Sequence, residues 1–149
     1  MIILTKVEDI FSRFLQKISE YKFLVDIGNP EAVAALEGTL NDYLTSARAK
    51  FYQCPKSLNL DAEKKNIISD LDDLEIDILS LLMLIEYFYQ IMIRNETVEQ
   101  AVGDSDFNIY SQANHINQLK DLHKELRNFT AREISRYTYR DRIYAKKTK

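Results

Sequence analysis

Glycine and proline together supply only five of the 149 residues. An all-β sandwich needs many tight turns, and those turns draw on these two residue types, so that class is nearly excluded. A long low-complexity linker is excluded on the same ground. Cysteine occurs once, at Cys54. A lone thiol forms no internal disulfide and falls short of a Cys-rich zinc site, which fits a reducing compartment or a particle assembled in one. Uninterrupted apolar runs are short as well. The best candidate for a membrane span, Leu74 to Ile93, contains Glu75, Asp77 and Glu86, whereas a span needs about 20 apolar residues. Met1-Ile2-Ile3-Leu4 is too short for a signal-peptide core. The expectation is a soluble chain with no targeting segment and no membrane partner.

What is present is a chain 46% hydrophobic and 29% charged, long enough for one domain with a real core. Its net charge of −3 is a sum over unlike parts. Residues 1–60 carry seven charges of each sign; residues 61–106 carry twelve acidic and three basic; residues 107–119 carry none; residues 120–149 carry ten basic and four acidic. Such asymmetry points to an interaction surface for nucleic acid or for an acidic protein. The plainer alternative is that helix termini and solvated faces collect charge.

Apolar periodicity predicts four helices. The first covers Lys6 to Phe23, with Thr5 and Glu8 as a capping box and Val7, Ile10, Phe11, Phe14, Leu15, Ile18 and Tyr21 as its stripe. Gly28-Asn29-Pro30 breaks the chain. The second helix covers Pro30 to Gln53, with the stripe Val33, Leu36, Leu40, Tyr43, Leu44, Ala47 and Phe51; Pro55 ends it. Residues 55–71 read as a loop with a short turn. The third helix starts near Asp72, with Glu75 as capping-box partner, and runs to Arg94, with Asn95 as its stop and one further turn over Glu96 to Val102. It is apolar nearly all round, so it is central or gives a face to a partner. Gly103-Asp104-Ser105 breaks the chain again. The fourth helix begins between Asn108 and Ser111 and runs to Tyr137, with Ile116, Leu119, Leu122, Leu126, Phe129 and Ile134 as its stripe. Beyond it Tyr137, Tyr139 and Ile143 alternate with polar residues, which is strand periodicity. The fold class expected is all-α, a four-helix bundle-like body (1–131) with an extended C-terminal arm (132–149).

No constellation of residues carries catalysis, and the chain is not expected to be an enzyme. His115 and His123 lie eight apart on one helix and cannot chelate one metal locally; surface or capping roles are expected for them. Cys54 has no His at helical reach to activate it. Asp70, Asp72, Asp73, Glu75 and Asp77 lack the Gly of a calcium loop and suit a helix N-terminus. Gly28, Gly38 and Gly103 do not assemble a phosphate loop. No cofactor and no metal are expected.

The C-terminal stretch is the strongest signal. Arg132, Arg136 and Arg140 are spaced by four, Arg142 extends them, and Tyr137, Tyr139, Ile143 and Tyr144 interleave. Basic residues with aromatics bind nucleic acid, or dock in an acidic protein groove, where Arg and Tyr are favoured anchors. A further option is that the tail of one subunit meets the acidic segment of another.

Three segments carry a resemblance to a known family. Asp106-Phe107-Asn108-Ile109-Tyr110-Ser111-Gln112-Ala113-Asn114-His115-Ile116-Asn117-Gln118-Leu119 resembles a stretch of tailed-bacteriophage neck proteins of the head–tail connector, or adaptor, family. Leu71-Asp72-Asp73-Leu74-Glu75-Ile76-Asp77-Ile78-Leu79 and Tyr137-Thr138-Tyr139-Arg140 are similar to the same proteins. The likeness spans roughly residues 5–142 in helix order. It implies a virion protein, assembled in the host cytoplasm, that forms a homo-oligomeric ring between the portal and the tail. Twelve copies would match the usual portal symmetry, and DNA would pass through the ring. The partners implied are the portal protein and other neck or tail proteins, with residues 132–144 as the arm that docks on the portal. Deleting 132–149 is then expected to leave a folded body. The alternative function is a small helical DNA-binding module that uses the basic C-terminus.

Overall fold

The structure, a computed structural model, describes residues 4–19, 30–101 and 106–147, with side chains described over 4–18, 38–93 and 117–140. The protein is all-α apart from one small sheet. Its elements are β1 (Thr5–Lys6), α1 (Val7–Ser19), α2 (Pro30–Lys50), β2 (Asn66–Ile67), α3 (Asp73–Ala101) and α4 (Asp106–Lys147). The expected breaks at Gly28-Asn29 and Gly103-Asp104-Ser105, and the continuation of the first helix to Phe23 with Tyr21, lie outside the described residues.

α3 is the centre, packed against α1, α2 and α4. Its stretch Asp73–Ile93 is long and apolar enough to cross a membrane by length and composition. Here Ile78, Leu79, Leu81, Leu82, Met83, Leu84, Tyr87 and Phe88 are buried among the other helices. A helix with little polar face needs neighbours on several sides. α1 supplies Val7, Ile10, Phe14 and Ile18, and α2 supplies Leu40, Tyr43, Leu44, Ala47 and Phe51. The α2 positions Val33 and Leu36 lie outside the described side chains. Phe14, Tyr43 and Tyr87 form a triangle of tilted and edge-on rings, with centroids 5.9–6.2 Å apart, that joins these three helices; such pairs contribute about 0.5–1.5 kcal/mol beyond area burial.

Several boundaries differ from expectation. α3 runs through Asn95 to Ala101, because Asn costs a helix interior only a few tenths of a kcal/mol. α2 ends at Lys50, and Phe51 closes on the Ala47 carbonyl at 3.0 Å. Residues 55–71 hold more than a turn. Lys64 takes the left-handed conformation, φ 59°, and the Asp61 carboxylate accepts from the Lys65 and Asn66 amides. This turn presents β2 to β1, antiparallel, with Thr5 opposite Ile67 and Lys6 opposite Asn66. Thr5 is therefore not a helix cap. Its hydroxyl donates to the Ser69 carbonyl at 2.6 Å and accepts from the Leu71 amide at 2.8 Å. It stitches the segment before α1 to the approach to α3, while the Val7 amide at the start of α1 is met by the Lys65 carbonyl at 2.9 Å.

The largest correction concerns the C-terminus. α4 is 42 residues long, about 63 Å, and runs unbroken across position 131 to Lys147. The alternation at Tyr137, Tyr139 and Ile143 is not a strand. Leu119, Leu126, Thr130 and Tyr137 are buried, and these spacings of seven, four and seven keep one helical face on the body. Tyr139 falls on the opposite face, 67% exposed. Phe129, expected in the apolar stripe, is 44% exposed.

Candidate functional site

The acidic start of α3 is organised by backbone chemistry first. The first N–H groups of a helix have no partners within it. The Asp72 carboxylate accepts from the Glu75 amide and the Glu75 carboxylate accepts from the Asp72 amide, each at 2.9 Å. This is the reciprocal capping box expected from the sequence.

Glu75 does more than cap. It is 1% exposed, and burying a carboxylate is costly unless every lone pair is met. Lys56 Nζ donates to Oε1 at 2.6 Å, Tyr137 Oη donates to Oε2 at 2.6 Å, and Cys54 Sγ donates to Oε2 at 3.3 Å. Burial pushes the Glu75 carboxyl up, but Lys56, the Tyr137 hydroxyl, the Asp72 amide and Cys54 outweigh it and hold the group below its ordinary value. It is a carboxylate at neutral pH. The same burial pushes the Cys54 thiol up to about 11, more than the Lys56 backbone bond offsets, so little of it is the nucleophilic thiolate. Tyr137 is also pushed up by burial and by Glu75 and stays a donor. The saturated, sealed cluster has the chemistry of a structural tie. It joins the 51–72 segment, α3 and the C-terminal part of α4, and Phe51 stacks edge-on against Tyr137 at 5.4 Å.

The neighbouring acids are matched as well. Asp72 meets Arg140 at 2.9 Å, Asp73 meets Arg13 at 3.4 Å and Asp77 meets Lys17 at 2.7 Å. Further along α3, Glu86 meets Lys50 at 3.1 Å. Arg140 also lies over the Tyr137 ring, 5.2 Å from its centroid. Five of the twelve acids of this segment are thus engaged by cations of its own chain among the described residues.

The residues expected to form a docking arm therefore separate. Tyr137, 1% exposed, belongs to the core, and Arg140 pairs with Asp72. Arg132, Arg136 and Tyr139 are exposed on α4; Arg136 pairs with Glu133 at 3.1 Å, and Arg132 has no ion partner among the described residues. Arg142, Ile143 and Tyr144 lie in α4, and their side chains are outside the described residues. Deleting 132–149 would remove Tyr137 from beneath Phe51, so the body is not independent of that segment. His123 is buried against α3 rather than on the surface, with its ring 6.2 Å from that of Tyr89. Burial, with Arg127 and Lys50 nearby, holds it below its ordinary value. His115 lies in α4 outside the described side chains. Lys56 and Cys54 as partners of Glu75 had no local signal, since they lie 19 and 21 residues away in a loop.

A groove of about 550 Å³ opens where α1, α3 and α4 meet, lined by Leu81, Leu84, Leu122, Leu126 and Phe129, with Lys17, Glu125 and Arg132 at its edges. Compared with known proteins, the chain matches no family model, no curated protein and no solved structure.

Proposed function

We propose that the chain is a structural virion protein of a tailed bacteriophage, a head–tail connector that forms a ring between the portal and the tail. The observation that carries this reading joins the sequence resemblance to the fold. Two of the three segments that resemble neck proteins, 71–79 and 137–140, hold one another directly through Glu75 with Tyr137 and Asp72 with Arg140. Two segments that resemble one family are required by a shared fold to keep such a contact, and this supports the reading. The mechanism is interface formation: Arg132, Arg136 and Tyr139 stand exposed on a long helix, and Arg and Tyr are residues on which interfaces concentrate binding energy. A helical arm docks by laying one face in a groove, in place of the strand addition an extended peptide would use.

Electron microscopy of the purified protein, alone and mixed with a portal protein from the same genome, tests this. Rings that bind portal are expected, and the double variant Arg132→Glu, Arg136→Glu is expected to keep its helical circular dichroism and lose portal binding. Absence of both rings and portal binding removes the reading. Tight binding of duplex DNA in a gel shift at low salt, lost in the same variant, would favour a free-standing DNA-binding module instead.

A further inference from the structure

The outward face of α4 has an order of its own. Asp121, Glu125, Asn128, Arg132, Arg136 and Tyr139 are all exposed. They recur at intervals of four, three, four, four and three, so they form one stripe. It lies across the helix from the buried Leu119, His123, Leu126 and Thr130. Along it the charge changes sign once: acidic at Asp121 and Glu125, basic at Arg132 and Arg136. Phe129 stands at the change, 44% exposed at the lip of the groove lined by Leu81, Leu84 and Leu122. Asp121, Glu125 and Arg132 have no ion partner among the described residues, and the Arg136–Glu133 pair is a surface contact within one helix turn.

We infer that this stripe is self-complementary and pairs α4 of one copy with α4 of a second, antiparallel, about a two-fold axis near Phe129. An antiparallel arrangement lays Asp121 and Glu125 of each copy over Arg132 and Arg136 of the other. A parallel arrangement lays like charge on like. The axis brings the two Phe129 side chains together, which gives a mostly polar contact its apolar centre, flanked by the grooves. The polarity of the stripe also selects the occupant. A nucleic-acid strand laid along the stripe would meet Asp121 and Glu125, which repel phosphate, with the exposed Lys120, Lys124 and Arg127 only at their flanks, whereas a second copy matches both signs of the stripe. An isologous contact closes at two copies. The pair covers the same Arg132 and Arg136 that the connector reading offers to the portal, so it describes the free protein and portal docking would replace it; Glu125→Arg, outside the docking residues, separates the two by weakening the pair and leaving portal binding unchanged.

Sedimentation equilibrium of the full chain, from micromolar to near-millimolar protein and at low and high salt, tests the pair. A monomer–dimer equilibrium is expected, weakened by salt because exposed charges are screened. Glu125→Arg and Arg132→Glu, each replacing attraction with repulsion twice per dimer, are expected to weaken it about tenfold or more. The double variant Glu125→Arg, Arg132→Glu restores the opposite charges and is expected to recover most of the lost affinity. All of these positions are exposed, and far-ultraviolet circular dichroism is expected to stay unchanged. A wild-type chain that is monomeric throughout at low salt overturns the inference. So does an oligomer indifferent to both single variants, including a ring, and so does a folded double variant as monomeric as the singles.

Discussion

Asp72, Asp73, Glu75 and Asp77, at the start of α3, each meet a cation from a distant part of the chain. On the outer face of α4, Asp121, Glu125 and Arg132 meet none among the described residues. Both regions are dense in charge, and sequence alone does not separate them. The difference lies in the burial of Glu75, around which Asp72, Asp73 and Asp77, with side chains 42%, 96% and 31% exposed, add surface pairs. Where Glu75 is sealed from water, an unmet lone pair would cost about 1–3 kcal/mol or more, so the fold assembles Lys56, Tyr137 and Cys54 around it. Where the side chains are wet, water already satisfies them, and each ion pair is worth about 0–1 kcal/mol. Charge at the first region ties distant segments together; charge at the second stands in water, which is what the proposed contacts require of it.

That contrast breaks most sharply at Tyr137. Replacing it with alanine removes a buried ring and a donor to Glu75, and is expected to cost about 3–5 kcal/mol, read as a lower midpoint in urea or heat. Acid is expected to act on the same region. The carboxyls of Glu75 and Asp72 sit below their ordinary values in the folded protein: burial opposes this, but for Glu75 the Lys56 and Tyr137 donors, and for Asp72 the Glu75 amide and Arg140, outweigh it. The unfolded chain therefore takes up protons first as pH falls. The stability these groups confer is complete above the ordinary values of 4.5 and 3.8 and is lost as pH falls through the lower folded ones. Glu75→Gln should make stability fall less steeply over that range, measured by denaturant melts at successive pH values. Next in size, Asp72→Ala removes a helix cap and the Arg140 contact, and should cost about 1 kcal/mol. Smallest, Arg132→Glu on the outer face should change stability by less than about 0.5 kcal/mol, while altering association. A large loss of stability there would erase the distinction between the two regions.

Much of the architecture was legible from local pattern. The helices, the reciprocal cap of Asp72 and Glu75 and the central place of α3 all follow from spacing within a few residues, which is the range over which periodicity and capping act. The partners of the acidic cluster were not legible, because Arg13 and Arg140 lie 60 and 68 residues from their acids, and nothing local marks such a pair. At Tyr137 two local patterns competed. Period two joined it to Tyr139 and Ile143, and helical spacing joined it to Thr130 and Ile134. The contact with Glu75 and Phe51 decided between them. Phe129 was misplaced for a related reason: a large apolar residue at helical spacing suggests core, and only the packing shows that it stands on the flank of the stripe.

The Glu75 tie also has a consequence in time. Its donors come from residues 56 and 137, and its cap from residue 72, so the cluster cannot close until most of the chain has been made. Thr5 precedes its partners Ser69 and Leu71 by 64 and 66 residues, so its hydroxyl is matched only once they are made. A nascent chain that ends before Tyr137 holds a carboxylate one donor short and lacks the ring that packs on Phe51. α4 therefore completes a site that the other elements only begin: a chain truncated before Tyr137 keeps the Asp72, Lys56 and Cys54 donors to Glu75 and lacks the fourth.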